Sequence, residues 1–129
     1  MATPSDKFLE WLQSYVVTTG YSVSRGMWVE SDANSGKKYI AAWINSGRAP
    51  DSGIVEFPQV RVIVAGRRNG RALGDTPEVE TLAHDIIQAA IQNYSTDCIA
   101  NVRPMGSIQG PYYTDADRPW YEFNLELTT

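Results

Sequence analysis

Two segments of this chain are apolar on both sides of an extended backbone, and nothing else in the sequence constrains the fold as tightly. Lys38–Asn45 reads KYIAAWIN. Side chains alternate across a strand, so Tyr39, Ala41 and Trp43 share one face while Ile40, Ala42 and Ile44 share the other. Gln59–Ala65 reads QVRVIVA, with Val60, Val62 and Val64 on one face and Ile63 with Ala65 on the other. Its β-branched residues make it the strongest strand in the chain. Helices on one side of such a sheet bury only one face. The second face is covered either by loops or the N-terminal segment of the same chain, or by a neighbouring subunit, because soluble monomers rarely expose large apolar patches.

The remaining elements follow from periodicity. Phe8, Leu9, Leu12, Tyr15 and Val16 recur at helical spacing, Ser5 caps the start, and Gly20 stops a helix over about 6–19. Met27–Val29 and Lys38–Asn45 flank a turn-forming stretch, 32–36, and read as a hairpin. A loop follows from Ser46 to Phe57, marked by Gly47, Pro50 and Gly53. Asp75 and Thr76 are capping types and Pro77 suits a first turn, so a second helix runs from there to about Asn93. Val79, Leu82, Ala83, Ile86 and Ala90 form its apolar face. A strand around Cys98–Arg103, a long connection from Arg103 to Pro119 and a closing strand from Trp120 to Leu127 complete the chain. The last strand alternates, with Tyr121, Phe123, Leu125 and Leu127 on one side. The order predicts an α+β fold: a mainly antiparallel sheet of about four to five strands with two helices packed on one face, forming a single domain over 1–129.

Composition narrows the class. The chain has 129 residues, 43% hydrophobic, with four Trp, seven Tyr and three Phe, enough apolar surface to offset chain entropy and to exclude disorder. No apolar run approaches the roughly 18 residues of a membrane span. Met1–Asp6 lacks a signal-peptide pattern, so a cytoplasmic product is expected. The lone cysteine, Cys98, rules out an internal disulfide or a multi-cysteine zinc site. A net charge of −4 argues against nucleic-acid binding by the domain as a whole, leaving room for a local basic patch.

Residues that could carry chemistry are few. His84 is the only histidine and falls on the polar helix face beside Glu80 and Gln88, as a solvated residue would. Cys98 opens an apolar strand and reads as a small buried hydrophobe. Asp115 and Asp117 form a D-x-D pair without the twelve-residue calcium-loop pattern, so solvated turn residues are the first reading and weak cation binding the second. Gly66–Asp75 (GRRNGRALGD) is a glycine-rich loop between a strand and a helix, but it lacks the Gly-Lys-Ser/Thr ending of a phosphate-binding loop. Its Arg67, Arg68 and Arg71 read either as an ordinary solvated loop or as a contact to phosphate or carboxylate surfaces. The connection from Arg103 to Pro119 carries Met105, Ile108, Tyr112 and Tyr113, residue types typical of interfaces.

One stretch carries a family signature. Gly110-Pro111-Tyr112-Tyr113-Thr114-Asp115-Ala116-Asp117-Arg118-Pro119-Trp120-Tyr121-Glu122-Phe123-Asn124 is a Gly/Pro loop, an acidic stretch, Arg-Pro and then an aromatic strand. Upstream, Phe57-Pro58-Gln59-Val60-Arg61-Val62 leads into a strand and then an amphipathic helix. This order resembles the small minor tail proteins of long-tailed bacteriophages, in particular the lambda-type tail terminator family. The resemblance implies a structural virion protein with no catalytic role and no cofactor. It would form a ring, a hexamer in the family, at the head-proximal end of the tail, assembled in the host cytoplasm. Its implied partners are copies of itself, the tail tube protein and a head-completion or neck protein, with DNA passing nearby in the channel and no membrane. The expected interface residues are Arg67, Arg68, Arg71, Met105, Ile108, Tyr112, Tyr113, Asp115, Asp117 and Arg118. Two alternatives stand beside it: a head-closure or neck connector, and a small metal-dependent hydrolase using Asp75, Asp97, Asp115 and Asp117.

Overall fold

The computed structural model describes residues 4–16, 18–24, 36–51, 55–93 and 101–128. Helix α1 (Pro4–Tyr15) starts before the expected Ser5 cap, with Pro4 in a first turn where its missing N–H costs nothing. It ends ahead of β-branched Val16 and Thr18, which favour extended backbone. A turn then closes with the Tyr21 amide donating to the Thr18 carbonyl at 3.0 Å, through Gly20 at φ +89°, a conformation that glycine adopts without steric cost.

Strand β1 (Tyr21–Ser24) was not foreseen from the sequence. It pairs in parallel with β2 (Lys38–Asp51), Tyr21 opposite Lys38 through Ser24 opposite Ala41. The expected hairpin partner, Met27–Val29, lies outside the described residues. Strand β3 (Val55–Ala65) runs antiparallel to β2, from Tyr39↔Ala65 to Asp51↔Val55. The loop expected over Ser46–Phe57 is therefore mostly paired strand. A register shift between Arg48 and Asp51 lets the ladder absorb Pro50, while Pro58 pairs with Gly47 just before the stretch that β5 joins at Gln59, so neither proline occupies a regular central position.

A short helix, α2 (Gly70–Leu73), also unforeseen, precedes α3 (Thr76–Gln92), whose bounds match the capping signals. Strand β4 (Asn101–Tyr113) corrects a second expectation. The segment after Arg103 is not a loop but continues as an edge strand, while Cys98 lies outside the described residues. Its prolines and glycines read as breakers, yet Pro104 pairs in register with Leu125 on an edge strand, where proline is tolerated, and the glycines sit at irregularities. Register shifts between Met105 and Gln109 and between Gln109 and Tyr112 coincide with Gly106 (φ +75°) and Gly110 (φ +137°). Strand β5 (Pro119–Thr128) closes the fold as its alternation foretold.

The sheet order is β1-β2-β3-β5-β4, antiparallel except for β1. This is the expected α+β architecture. Both long helices contribute to one core on one sheet face. Phe8, Trp11 and Leu12 from α1 and Val79, Ala83 and Ile86 from α3 join Ile40, Ala42, Val60, Val62, Val64, Phe123, Leu125 and Leu127. The opposite face is not left bare. Tyr39 (7% exposed), Ala41 (0%), Ile63 (3%) and Ala65 (0%) are buried within the chain itself. A neighbouring subunit is therefore not required to cover these four, while Trp43 is partly buried and Ile44 is 38% exposed.

Leu125 pairs with Val60 and Pro104 and is fully buried. Leu125→Ala is expected to cost about 2–5 kcal/mol, the range for a leucine removed from a packed core, read as a lower denaturation midpoint with an unchanged m-value.

Candidate protein-docking site

Two loops far apart in sequence meet at one end of the sheet, the loop leaving β3 (66–75) and the turn joining β4 to β5 (114–118). Backbone hydrogen bonds knit them together. The Gly66 amide donates to the Pro119 carbonyl at 2.8 Å, the Asn69 amide to Ala116 at 2.8 Å and the Arg71 amide to Asp117 at 3.2 Å. The turn is closed internally by the Asp117 amide donating to Thr114 and the Thr114 amide donating to Arg118. These bonds satisfy the loop backbone as regular structure does. Gly66 and Gly70 allow the approach. A Cβ at Gly66 would lie 2.9 Å from the Asp75 Cβ, and one at Gly70 would lie 2.8 Å from the Pro119 Cδ.

The ionic groups beneath this corner are largely committed. Asp75, 3% exposed, stands at the N-cap of α3 but makes no side-chain capping bond. Its carboxylate turns back to Arg67 instead. The Arg67 amide and Nε donate to Oδ2 at 2.9 and 3.0 Å, and Nη2 donates to Oδ1 at 2.8 Å. This paired geometry is the strong form of an arginine–carboxylate contact. The Arg67 guanidinium hydrogen bonds hold the Asp75 carboxyl below its ordinary range despite burial, and the same bonds raise Arg67. Arg118 is fully buried, with Nη1 donating to the carbonyls of Lys37 and Gly66 at 2.6 Å each and the guanidinium 5.3 Å from the Tyr39 ring. Its expected place at an interface is corrected: Arg118 serves the interior.

What the corner presents outward is a small mixed surface. The Arg71 guanidinium lies 4.6 Å from the Tyr113 ring centroid, a cation–π contact that orders an otherwise mobile side chain. Tyr113 OH lies 3.4 Å from Thr76 Oγ1, and Tyr112 packs on Trp120 with centroids 4.7 Å apart. Leu73 is 55% exposed, and Asp115 and Asp117 are exposed in the turn. The structure thus brings Arg67, Arg68, Arg71, Tyr112, Tyr113, Asp115 and Asp117 to one end. It does not bring Met105 or Ile108 there. Both are half-buried further along β4, and Ile108 packs against the core. Leu73 was missed. The available signal was a leucine between Arg71 and Gly74 in an otherwise polar loop.

The carboxylates of the hydrolase alternative do not gather. Asp75 is bound by Arg67, Asp97 lies outside the described residues, and among the described residues no group of three or more His, Cys, Asp and Glu side chains could hold a metal ion. His84 is 65% exposed and 4.0 Å from Glu80, as its helical position foretold. No helix among the described residues is long and apolar enough to cross a membrane.

Against known proteins, the sequence matches the family model described as phage tail termination protein over residues 1–129. No curated protein matches it. The match agrees with the resemblance read from residues 57–62, residues 110–124 and the order of the elements.

Arg67 and Arg71 should separate cleanly. Arg67→Ala breaks the pair with buried Asp75 and lowers thermal stability. Arg71→Ala, a surface change, stays within about 0.5 kcal/mol of wild type. Asp75→Asn is expected to destabilise the fold by about 1–3 kcal/mol at pH 7, because buried polar groups lose charged partners. The Asp75 carboxyl is depressed in the folded chain, so its contribution is complete above the ordinary carboxylate value. It is lost as pH falls through the lower folded value. Unfolding curves of wild type and Asp75→Asn should accordingly converge as pH is taken below about 4.

Proposed function

Since the chain belongs to the phage tail termination protein family, we propose that it forms a ring at the head-proximal end of a long phage tail, stops polymerisation of the tube protein there and offers the surface to which the head joins. The observation that carries this reading is the family match across residues 1–129. Membership in that family makes the chain a structural component of the tail. The ring, its hexameric number and its partners belong to the proposal.

The chemistry of the corner supports a protein partner over DNA. A surface that binds phosphate backbone needs unneutralised cations. Here Arg67, Arg68 and Arg71 stand with Asp75, Asp115 and Asp117, three positive against three negative groups. The remaining exposed features are Leu73, Tyr112 and Tyr113, and aromatic residues with arginine are the types enriched where proteins meet. Cyclic assembly requires that one patch meet a different patch on the next copy, and a rigid corner with a distinctive surface suits one half of such a contact.

Deleting the gene should yield tails of uncontrolled length that fail to join heads, measured by electron microscopy of lysates. Tails of normal length in its absence would overturn the reading.

A further inference from the structure

A groove lies on the flank of the molecule between α3 and β4. Its cavity of about 340 Å³ is lined by Glu80, His84, Ile87, Ser107, Ile108 and Tyr121, together with two glycines of β4. Local structure explains why it is open. The β4–β5 ladder skips from Met105↔Asn124 to Gln109↔Glu122, so the intervening β4 backbone bows away from its neighbour. Gly106 has nothing within 4 Å of where a Cβ would stand, which leaves the wall open at that point. The groove is two-toned. Glu80, with a side chain 53% exposed, sits 4.0 Å from His84 at the rim. Ile87 and Ile108, partly buried and packed on the core, form the apolar wall.

We propose that this groove receives the Arg71–Leu73 corner of a second copy of the chain, with the Arg71 guanidinium against the Glu80 carboxylate and the Leu73 side chain against Ile87 and Ile108. The inference rests on the ring reading and names the contact that builds the ring. Charge and polarity match in the same order on both surfaces: a cation two residues from a protruding leucine, and a carboxylate beside an apolar wall. Arg71 is braced on Tyr113 at 4.6 Å, so little side-chain freedom is lost when it docks. The two patches are made of different residues, the corner of loop 66–75 and the wall of α3 and β4. Their union is therefore heterologous and continues from copy to copy until it closes.

A charge swap tests the contact. Phage lacking the gene are complemented with Arg71→Glu, Glu80→Arg or the double variant, and infectious titre and tail length are measured. Each single variant should lower titre at least ~10-fold, the effect of about 1.4 kcal/mol on an equilibrium, and lengthen tails. The double variant, with the pair reversed, should recover to within ~3-fold of wild type, less than 1 kcal/mol on the same scale. The contact is overturned if either single variant supports normal titre and tail length, or if the double variant is no better than the worse single one. Thermal melts of the purified variants control for folding. Should a reversal unfold the chain, Arg71→Gln and Glu80→Gln replace it, and a double variant no worse than either single one supports the contact while additive losses overturn it. The outcome is separable from that of the tail-terminator reading. Overlong tails in the deletion with fully active single variants sink the groove contact alone, whereas normal tails in the deletion sink the ring reading itself.

Discussion

Three strand ends converge on one buried cation. Arg118 has no solvent exposure, and removing a guanidinium from water costs several kcal/mol unless its donors are matched. The carbonyls of Lys37, just before β2, and Gly66, just after β3, supply acceptors at 2.6 Å, and the Tyr39 ring covers the group at 5.3 Å. Because Arg118 itself leads into β5, the arrangement fixes where β2 begins, where β3 ends and where β5 enters. The path of the loop from Gly66 to Asp75 follows from that. It must return across the β4–β5 turn, where its amides find the carbonyls of Ala116 and Asp117, and the outward corner is what remains.

How much of this was legible in the sequence depended on the range of the interaction involved. Helix α3 was readable nearly to the residue, because caps, proline and apolar spacing are local signals. Strand β5 was readable because its inward residues alternate. Strand β4 was not. Pro104, Gly106, Gly110 and Pro111 read as loop punctuation, and only the register against β5 shows an edge strand that keeps Pro104 paired and bulges at Gly106 and at Gly110–Pro111. The arginines illustrate the same limit. Sequence shows that Arg67, Arg71 and Arg118 are charged, but not that one is paired with a buried aspartate, one braced on a tyrosine and one enclosed by backbone carbonyls. Asp75 was recognised as a helix-start residue, and it is one by position, yet its carboxylate is used elsewhere.

The helix-free face of the sheet shows why association is better sought at ends and edges. Tyr39, Ala41, Ile63 and Ala65 on it are already buried, Trp43 and Trp120 are partly buried, and its charges are largely matched across strands. Arg61 on β3 donates to Glu122 on β5 while lying 5.6 Å from the Trp43 ring, and Arg103 on β4 pairs with Glu126 at 3.0 Å. Cross-strand pairs of this kind stabilise the sheet. They also leave little electrostatic demand for another molecule to meet. The two-sided apolar strands, which first suggested completion by a neighbour, are thus largely covered by the chain itself, with Trp43 partly buried and Ile44 exposed.

Exposed features remain at the corner and in the groove. Leu73 is 55% exposed beside Arg71, Glu80 stands at the groove rim beside the Ile87–Ile108 wall, and each has a structural cause. The first protrudes because the buried Arg118 and Asp75 networks pin the loop beneath it. The second is recessed because glycines and register shifts bow β4 outward. In the proposed contact the protrusion of one copy enters the recess of the next, so that two different patches meet at each junction. A contact of that kind leaves a free protrusion at one end and a free recess at the other, and only closure into a ring uses both.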